Sequence, residues 1–486
     1  MIEKLFLRFG YEKRRFAAAK MDRTTSDWVL STVKTNDDIK ANLETLRMRS
    51  RDLSKNNSDY RKWLSMRRKN IFGDHGLRLR MKIRNPSGEQ DTGANTIIEG
   101  EFAKWGRKIG GGVSVDGLHS WNSFCELADR VFAVDGEAII RKVTGYGGWL
   151  FSLQLIDPVL LDIGYNLQRT QYQNEVVMGV ERDAWEKPVA YHFLQDVDAW
   201  GTATNRIRIP ADEIIHLFRP EFVGQARGFP LASAAILDMN MSAGYREAEL
   251  IAARVAACQM GIWERPANAT GKMKFDEKEQ EKLIVDMEPG KFGIGPGGWV
   301  LKQLNPTHPG QNLPSFLKTI MRSISSGLDV SYNDFANDLE GVNFSSLRAG
   351  TLSERDSWKM DQQFFIETFC MPVFASWLTM LLLSVKTNLP LSKFDKFFQP
   401  VFIPRRWDWV DPLKDIKAHS EAIDLRISAP QEVIEAAGRD PEEVLEMIAQ
   451  WNTWLKEYNI APPQPKTPVD KNSLIKKDDN EDEEEQ

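Results

Sequence analysis

The stretch LASAAILDMNMSAGYREAELIAARVAACQM, residues 231–260, constrains this chain more than any other. It holds nine alanines between 232 and 257, and no proline follows until Pro266. A helix of about thirty residues is about 45 Å long. That is longer than one small domain needs for its own core. Small side chains along it let another helix approach closely, so the pattern predicts a helix packed against copies of itself or a partner helix.

The chain before this helix has a different character. LRLRMKIR alternates Leu77, Leu79, Met81 and Ile83 with basic residues, which is a half-buried strand. Between 131 and 228 short apolar runs recur (VFAVDGEAIIRKV, FSLQLI, VVMGVERD, KPVAYHFL, RIRIP, then ADEIIHLF), punctuated by Gly, Asp and Pro. They predict an antiparallel or mixed sheet. After the helix, residues 265–311 are rich in Pro and Gly, and SFLKTIMRSISSGL reads as a second helix. SYNDFANDLEGVNFSS is polar and turn-rich. A third helix follows over 347–385, with Trp358, Phe365 and Phe369 on one face. Residues 411–460 read as a small helical unit; in GRDPEEV, Asp440 suits the N-cap, Pro441 the first turn and Glu443 the capping box. The proline-rich and acidic residues 461–486 cannot bury a core and are expected to be disordered.

Charge is unevenly placed. The last nine residues carry seven acids, so the net −6 becomes +1 over residues 1–477. Arg47 to Arg84 holds thirteen Lys and Arg against three acids. A solvated basic face is the plainest reading of that block, with an acidic partner or nucleic acid as the alternative. The block contains no helix-turn-helix, zinc-finger or RNP pattern. The three cysteines are widely spaced and form no CxxC, so neither a disulfide framework nor a zinc site is expected. The basic start of the chain lacks a secretory apolar core. Thr368–Val385 lacks charge over eighteen residues but has a proline near its start, and reads as a buried helix end rather than a membrane span.

Candidate chemistry is sparse. KFGIGPGGWV places Gly293, Gly295 and Gly298 in G-x-G-x-x-G register. A dinucleotide site needs a helix opening at the end of that pattern. Here WVLKQLNPTHPG follows, so KFGI and WVLKQL read as two strands around a GPGG turn. The six histidines have no catalytic spacing. Ser345 and Ser346 read as caps of the following helix. Asp135 and Glu137 could ligate a metal, as in a metal-dependent DNA-processing enzyme of a virion, or could sit in a turn between two strands.

The order of these segments resembles the portal proteins of tailed bacteriophages, specifically the lambda-type family. RSRDLSKNN, DGEAII (135–140), LQLIDP (153–158), EPGKFGIGPGG (288–298), GLDVSYNDFANDLEGVNFSSLRAG (327–350) and GRDPEEV (438–444) resemble family motifs in the right order. The 327–350 segment is the most specific. Phe344 stands where the family more often has Tyr, and Gly298 where it often has an acid.

The resemblance implies an α+β portal architecture. It consists of an N-terminal arm (1–45), a mixed α/β wing (46–228), stem helix 1 (229–264), a small α/β clip (265–311) and stem helix 2 (312–332). A tunnel loop (333–347), tunnel helix (348–386), wing return (387–410), all-helical crown (411–460) and acidic tail (461–486) follow. It further implies a non-enzymatic ring of about twelve subunits at a capsid vertex, assembled in the host cytoplasm. Double-stranded DNA would pass through it during packaging and ejection, without sequence-specific contact. Terminase large subunit and head–tail adaptor would dock on it, beside major capsid protein and scaffold. The tunnel-loop residues would be Asn333, Asp334, Asp338, Glu340 and Asn343. The clip hairpin would use Gly293, Gly295, Pro296, Gly297 and Gly298. No catalytic residue, cofactor, metal or membrane contact is implied.

Overall fold

The computed structural model describes residues 34–197, 203–257, 261–264, 300–303, 312–384, 386–407, 411–437, 439 and 441–460. Residues 1–402 and 403–486 form separate compact units.

The first unit begins with two helices, α1 (Thr35–Asn56) and α2 (Ser58–Ile71), separated at Asn57. Asn57 ends one and starts the next, because its side chain accepts from the backbone N–H groups of Asp59 and Tyr60. The buried stripe of α1 runs Ile39, Leu43, Arg47, Ser50, Leu53, a helical spacing with a cation in its middle. So residues 35–45 belong to the folded unit. The basic block is not simply a solvated face either, since Arg47 and Arg67 are buried.

Strand β1 (Arg78–Met81) pairs with β11 (Pro400–Ile403), and Leu77, Met81 and Ile83 point inward, as the alternation predicts. Helices α3 (Thr92–Trp105) and α4 (Trp121–Asp135) follow. VFAVD, which reads from sequence as strand, is the last turn of α4. The hydrophobic stripe continues from Phe124 through Ala128 to Phe132, which is helical spacing. Gly136 ends α4 with φ 83° and leads straight into β2 (Glu137–Thr144). The turn expected between two strands at DGE is therefore a helix-to-strand junction.

Strand β2 is central in a sheet, with β3 (Phe151–Ile156) and β8 (Ile214–Phe218) antiparallel on either side. A second sheet runs in order β4 (Glu175–Val177), β5 (Val180–Arg182), β6 (Pro188–Val197), β7 (Ala203–Pro210). Ile139 and Ile214 of the first sheet share a core with Val180, Tyr191, Phe193 and Ile209 of the second.

The alanine-rich stretch is helical over Ile236–Ala257 (α5), shorter than expected because residues 231–235 turn and 261–264 form a strand. That strand, β9 (Gly261–Glu264), pairs antiparallel with β10 (Val300–Gln303), Val300 opposite Glu264. WVLKQL thus finds its partner in GIWE; KFGI lies outside the described residues. Helix α6 (Leu313–Gly327) lies against α5 through Tyr245 and Phe316, whose rings meet edge-on at 5.3 Å.

After a short helix α7 (Tyr332–Ala336), a long helix runs as α8 (Phe344–Phe365), a π-helical turn (Ile366–Cys370) and α9 (Met371–Leu383). Pro372 accounts for the wide turn. It has no N–H to give, and its ring would collide with the carbonyl four residues earlier in a regular helix. This helix contains the one stretch among the described residues long and apolar enough to cross a membrane. Half of that stretch is buried inside the unit. Trp377 meets Phe102 edge-on at 4.9 Å, and Phe369 stacks on Trp121 at 5.7 Å. Each aromatic buried this way contributes about 1.5–3 kcal/mol, which makes the cluster the main hydrophobic anchor of the helix. Trp358, Phe365 and Phe369 are all buried, as their spacing predicts.

The second unit contains α11 (Pro412–Asp424), α12 (Pro430–Ala436) and α13 (Pro441–Glu457), after a single-turn α10 (Phe394–Phe397) in the first. Each of these three helices opens on proline, the residue whose missing N–H costs nothing there. None of the described side chains from 403 to 460 is buried, and Leu445, Trp451 and Trp454 are more than half exposed.

Candidate functional site

The candidate site is the loop between α6 and α8, and a buried cluster of charges holds its surroundings in place. Residues 328–331 leave α6, α7 makes little more than one turn, and residues 337–343 return to α8. Asn337 takes the left-handed conformation (φ 53°) and ends α7. Phe335 is buried and fixes the short helix to the unit. The cap of α8 is Asn343, whose side chain accepts from the Ser346 N–H. Ser345 and Ser346, expected as caps, are inside the helix.

Each acid of the loop has a defined partner except one. Asp338 accepts from the Tyr332 hydroxyl at 2.7 Å and pairs with Lys318 at 3.0 Å. The Tyr332 hydroxyl first, then Lys318 and the Glu340 N–H, hold the Asp338 carboxyl down at about 2. Arg322 lies over the Tyr332 ring, 5.2 Å from its centroid. Lys62 of α2 donates to Asn337 at 2.7 Å. Asp334 shares a hydrogen bond with Glu354 of α8, and Trp358 donates its indole N–H to Glu354 at 3.1 Å. Glu340 reaches Lys318 only at 3.5 Å, and its side chain is 86% exposed. Asn333 contributes its carbonyl, which accepts from the N–H groups of Asn337 and Asp338. Asn333, Asp334, Asp338, Glu340 and Asn343 therefore lie along one segment between α6 and α8. Sequence reasoning missed Lys318, Tyr332 and Glu354, which set the charge of that segment. The i, i+4 spacing of Glu354 and Trp358 is the one signal that could have found any of them. Gly293, Gly295, Pro296, Gly297 and Gly298 lie outside the described residues.

The charge cluster centres on Glu137, which is fully buried. Arg227 and Arg47 both donate to it, His216 Nε2 lies 3.0 Å away, and the Gly228 N–H donates at 3.0 Å. Burial alone would raise this carboxyl, but Arg227, Arg47 and His216 hold it well below the usual carboxylate range. Asp135 receives two hydrogen bonds from Arg51, at 2.6 and 2.8 Å. Arg67 bridges Asp129 of α4 and Asp361 of α8, and Arg219 adds a bond to Asp361. Metal chemistry at Asp135 and Glu137 does not fit this arrangement. Their oxygens are already occupied by guanidinium groups that would repel a cation. The carboxylates instead tie α1, α4, β2 and the chain near Arg227 into one block.

The family described as "Phage portal protein, lambda family" matches residues 21–362. A "Probable portal protein" of Halomonas phage phiHAP-1 is 34% identical over 460 residues, covering 93% of this chain and 88% of the relative. Among solved structures, the virion of a native gene transfer agent particle contains a chain 12% identical, with a TM-score of 0.44 over 82% of this chain and 94% of that one. The neck of the native particle contains another at 14% identity and a TM-score of 0.37, over 78% and 94%. On the family match and the 34% identity, this chain is a member of the lambda family of phage portal proteins.

Proposed function

We propose that the chain is one subunit of a closed ring of about twelve copies at a capsid vertex, through which double-stranded DNA passes during packaging and ejection. One observation carries this reading: the exposed face of α5. Leu237, Met241, Gly244, Ala248 and Ile251 repeat at spacings of four and three, and all are solvent-exposed in the single chain. That is the spacing of a helix seam, and a head-to-tail contact that closes on itself makes a ring. The exposed apolar side chains of the second unit support the same reading, because helices without a core need neighbours.

The loop 333–343 then lines the channel. Asp338 is neutralised by Lys318, while Glu340 and Asp334 face solvent. A lining with exposed acids and tethered cations lets phosphates slide, since free Lys and Arg would hold DNA by counterion release. The clip, including Gly293, Gly295, Pro296, Gly297 and Gly298, is the surface for terminase large subunit and head–tail adaptor. Major capsid protein and scaffold contact the outer wing, and assembly takes place in the host cytoplasm. Electron microscopy of the purified protein tests the ring. Closed rings with a central hole are expected, and Leu237→Glu with Ile251→Glu should leave monomers. Wild-type protein that stays monomeric at assembly concentrations overturns the reading.

A further inference from the structure

The Asp334–Glu354 contact joins two carboxyl groups, one on the short helix of the loop and one on the long helix behind it. Glu354 is buried at 9% exposure, whereas Asp334 is exposed. Besides Asp334, Glu354 accepts from the Trp358 indole and from the Ser331 N–H at the start of α7. Two carboxylates cannot share a hydrogen bond unless one of them carries a proton. The contact seen here therefore belongs to a protonated pair. With that proton, Glu354 ties both the first N–H and the first-turn acid of α7 to α8.

We propose that the Asp334–Glu354 pair is a proton-operated latch, which holds α7 and the loop 337–343 against the long helix and lets go when the shared proton leaves. The groups packed around the pair leave the control to these two acids. On α6, Lys318 is engaged by Asp338 and Glu340, and Arg322 lies over the Tyr332 ring. On α2, Lys62 donates to Asn337. On α8, Arg355 is the sequence neighbour of Glu354. The strongest charge acting on Glu354 is that of Asp334, a repulsion.

Burial first, and then the hydrogen bond with Asp334, push the Glu354 carboxyl up to about 7. A raised carboxyl favours the protonated, latched form. The latch is therefore closed at low pH, weakens as pH rises from about 4.5 and has opened above about 7. As control of a DNA channel this rests on the ring reading above; as a property of the loop it does not.

Hydrogen–deuterium exchange of the full-length protein, in the assembly state in which it purifies, tests it. Protection factors, which remove the intrinsic pH dependence of exchange, are compared at pH 5.5 and 8 for peptides covering 331–343. Wild-type protection there should fall by more than about tenfold at the higher pH. Peptides from the Phe102–Trp377 core should not change. Glu354→Gln keeps a donor without a charge and should flatten the response, and Asp334→Asn, at an exposed position, should flatten it as well. Equal wild-type protection at both pH values, or a response that survives in both variants, overturns the latch. Micrographs of the same sample report separately on the ring, so monomers with a pH-dependent loop would remove the ring reading and leave the latch standing.

Discussion

Arg227 and Glu137 are both wholly excluded from solvent, and Nη2 of the guanidinium lies 2.5 Å from the carboxylate Oε1. Arg227 also donates to the carbonyls of Leu161, Met178 and Pro158, so its remaining protons are satisfied by backbone. One side chain thus links β2, the turn before β5 and the loop at 158–161. Removing one partner strands a buried charge, which typically costs about 3–5 kcal/mol. Arg227→Met should lower the urea midpoint by an amount of that order. Arg51→Met, whose guanidinium is a third exposed, should cost much less. Equal losses for the two would show that burial is not what makes Arg227 important.

Beside this pair two backbones touch. A Cβ on Gly136 would stand 1.9 Å from the Phe229 carbonyl carbon, and φ there is 83°. Gly145 has a similar φ of 76°, but a Cβ added there would have nothing within 4 Å. Gly145→Ala should therefore cost only the left-handed penalty of about 1–2 kcal/mol. Gly136→Ala adds a clash with backbone that cannot rotate away, and should lose soluble folded protein altogether. Thermal unfolding of the two purified variants, or failure to obtain one of them, separates strain from contact.

Much of this is legible in the sequence because the carriers are periodic. Leu77, Met81 and Ile83 alternate, and Trp358, Phe365 and Phe369 recur at helical spacing, and all are buried. VFAVD misleads because its five apolar or small residues fit either period, and only the upstream stripe from Phe124 decides. Arg47 and Arg67 resemble solvated charge, because their partners Glu137 and Asp129 lie 90 and 62 residues away. The segment at 333–343 stands out by its motif. Its electrostatics do not, since Lys318 and Glu354 come from the flanking helices.

Asn343 and the two serines that follow Phe344 give a direct test of local against motif reading. Asn343 caps α8 by accepting from the Ser346 N–H at 2.8 Å. Asn343→Ala should destabilise the N-terminal turn by about 1 kcal/mol, seen as faster amide exchange at residues 344–347. Ser345→Ala should leave that exchange unchanged. The opposite ranking would return the cap to the serines.

Two of the three thiols should be inert in the folded protein. Cys125 of α4 and Cys370 of the π-turn are buried, and burial followed by the hydrogen bond with Cys370 raises the Cys125 thiol well above its usual range. Thiolate is the reactive form, so neither should be modified at neutral pH. Titration with a thiol reagent should find at most one reactive group in native protein and three after denaturation. Rapid reaction of two or more in the native state would mean that the Trp121–Phe369 region opens readily.

Acid should weaken the second sheet through Glu181. Its carboxylate accepts from Arg208 at 2.7 Å, and His192 lies 3.1 Å away. The Arg208 hydrogen bond, with those of Asn174 and His192, holds it down at about 2 from an ordinary 4.5. A depressed carboxyl contributes stability that is present in full above about 4.5 and is lost as pH falls to about 2. Since Arg208 is half exposed, solvent screens part of this gain. Glu181→Gln should therefore unfold at lower urea than wild type at pH 6, and the gap should close as pH is taken from 4.5 towards 2. A gap that stays constant over that range would mean that the side chain acts through its shape and not its charge.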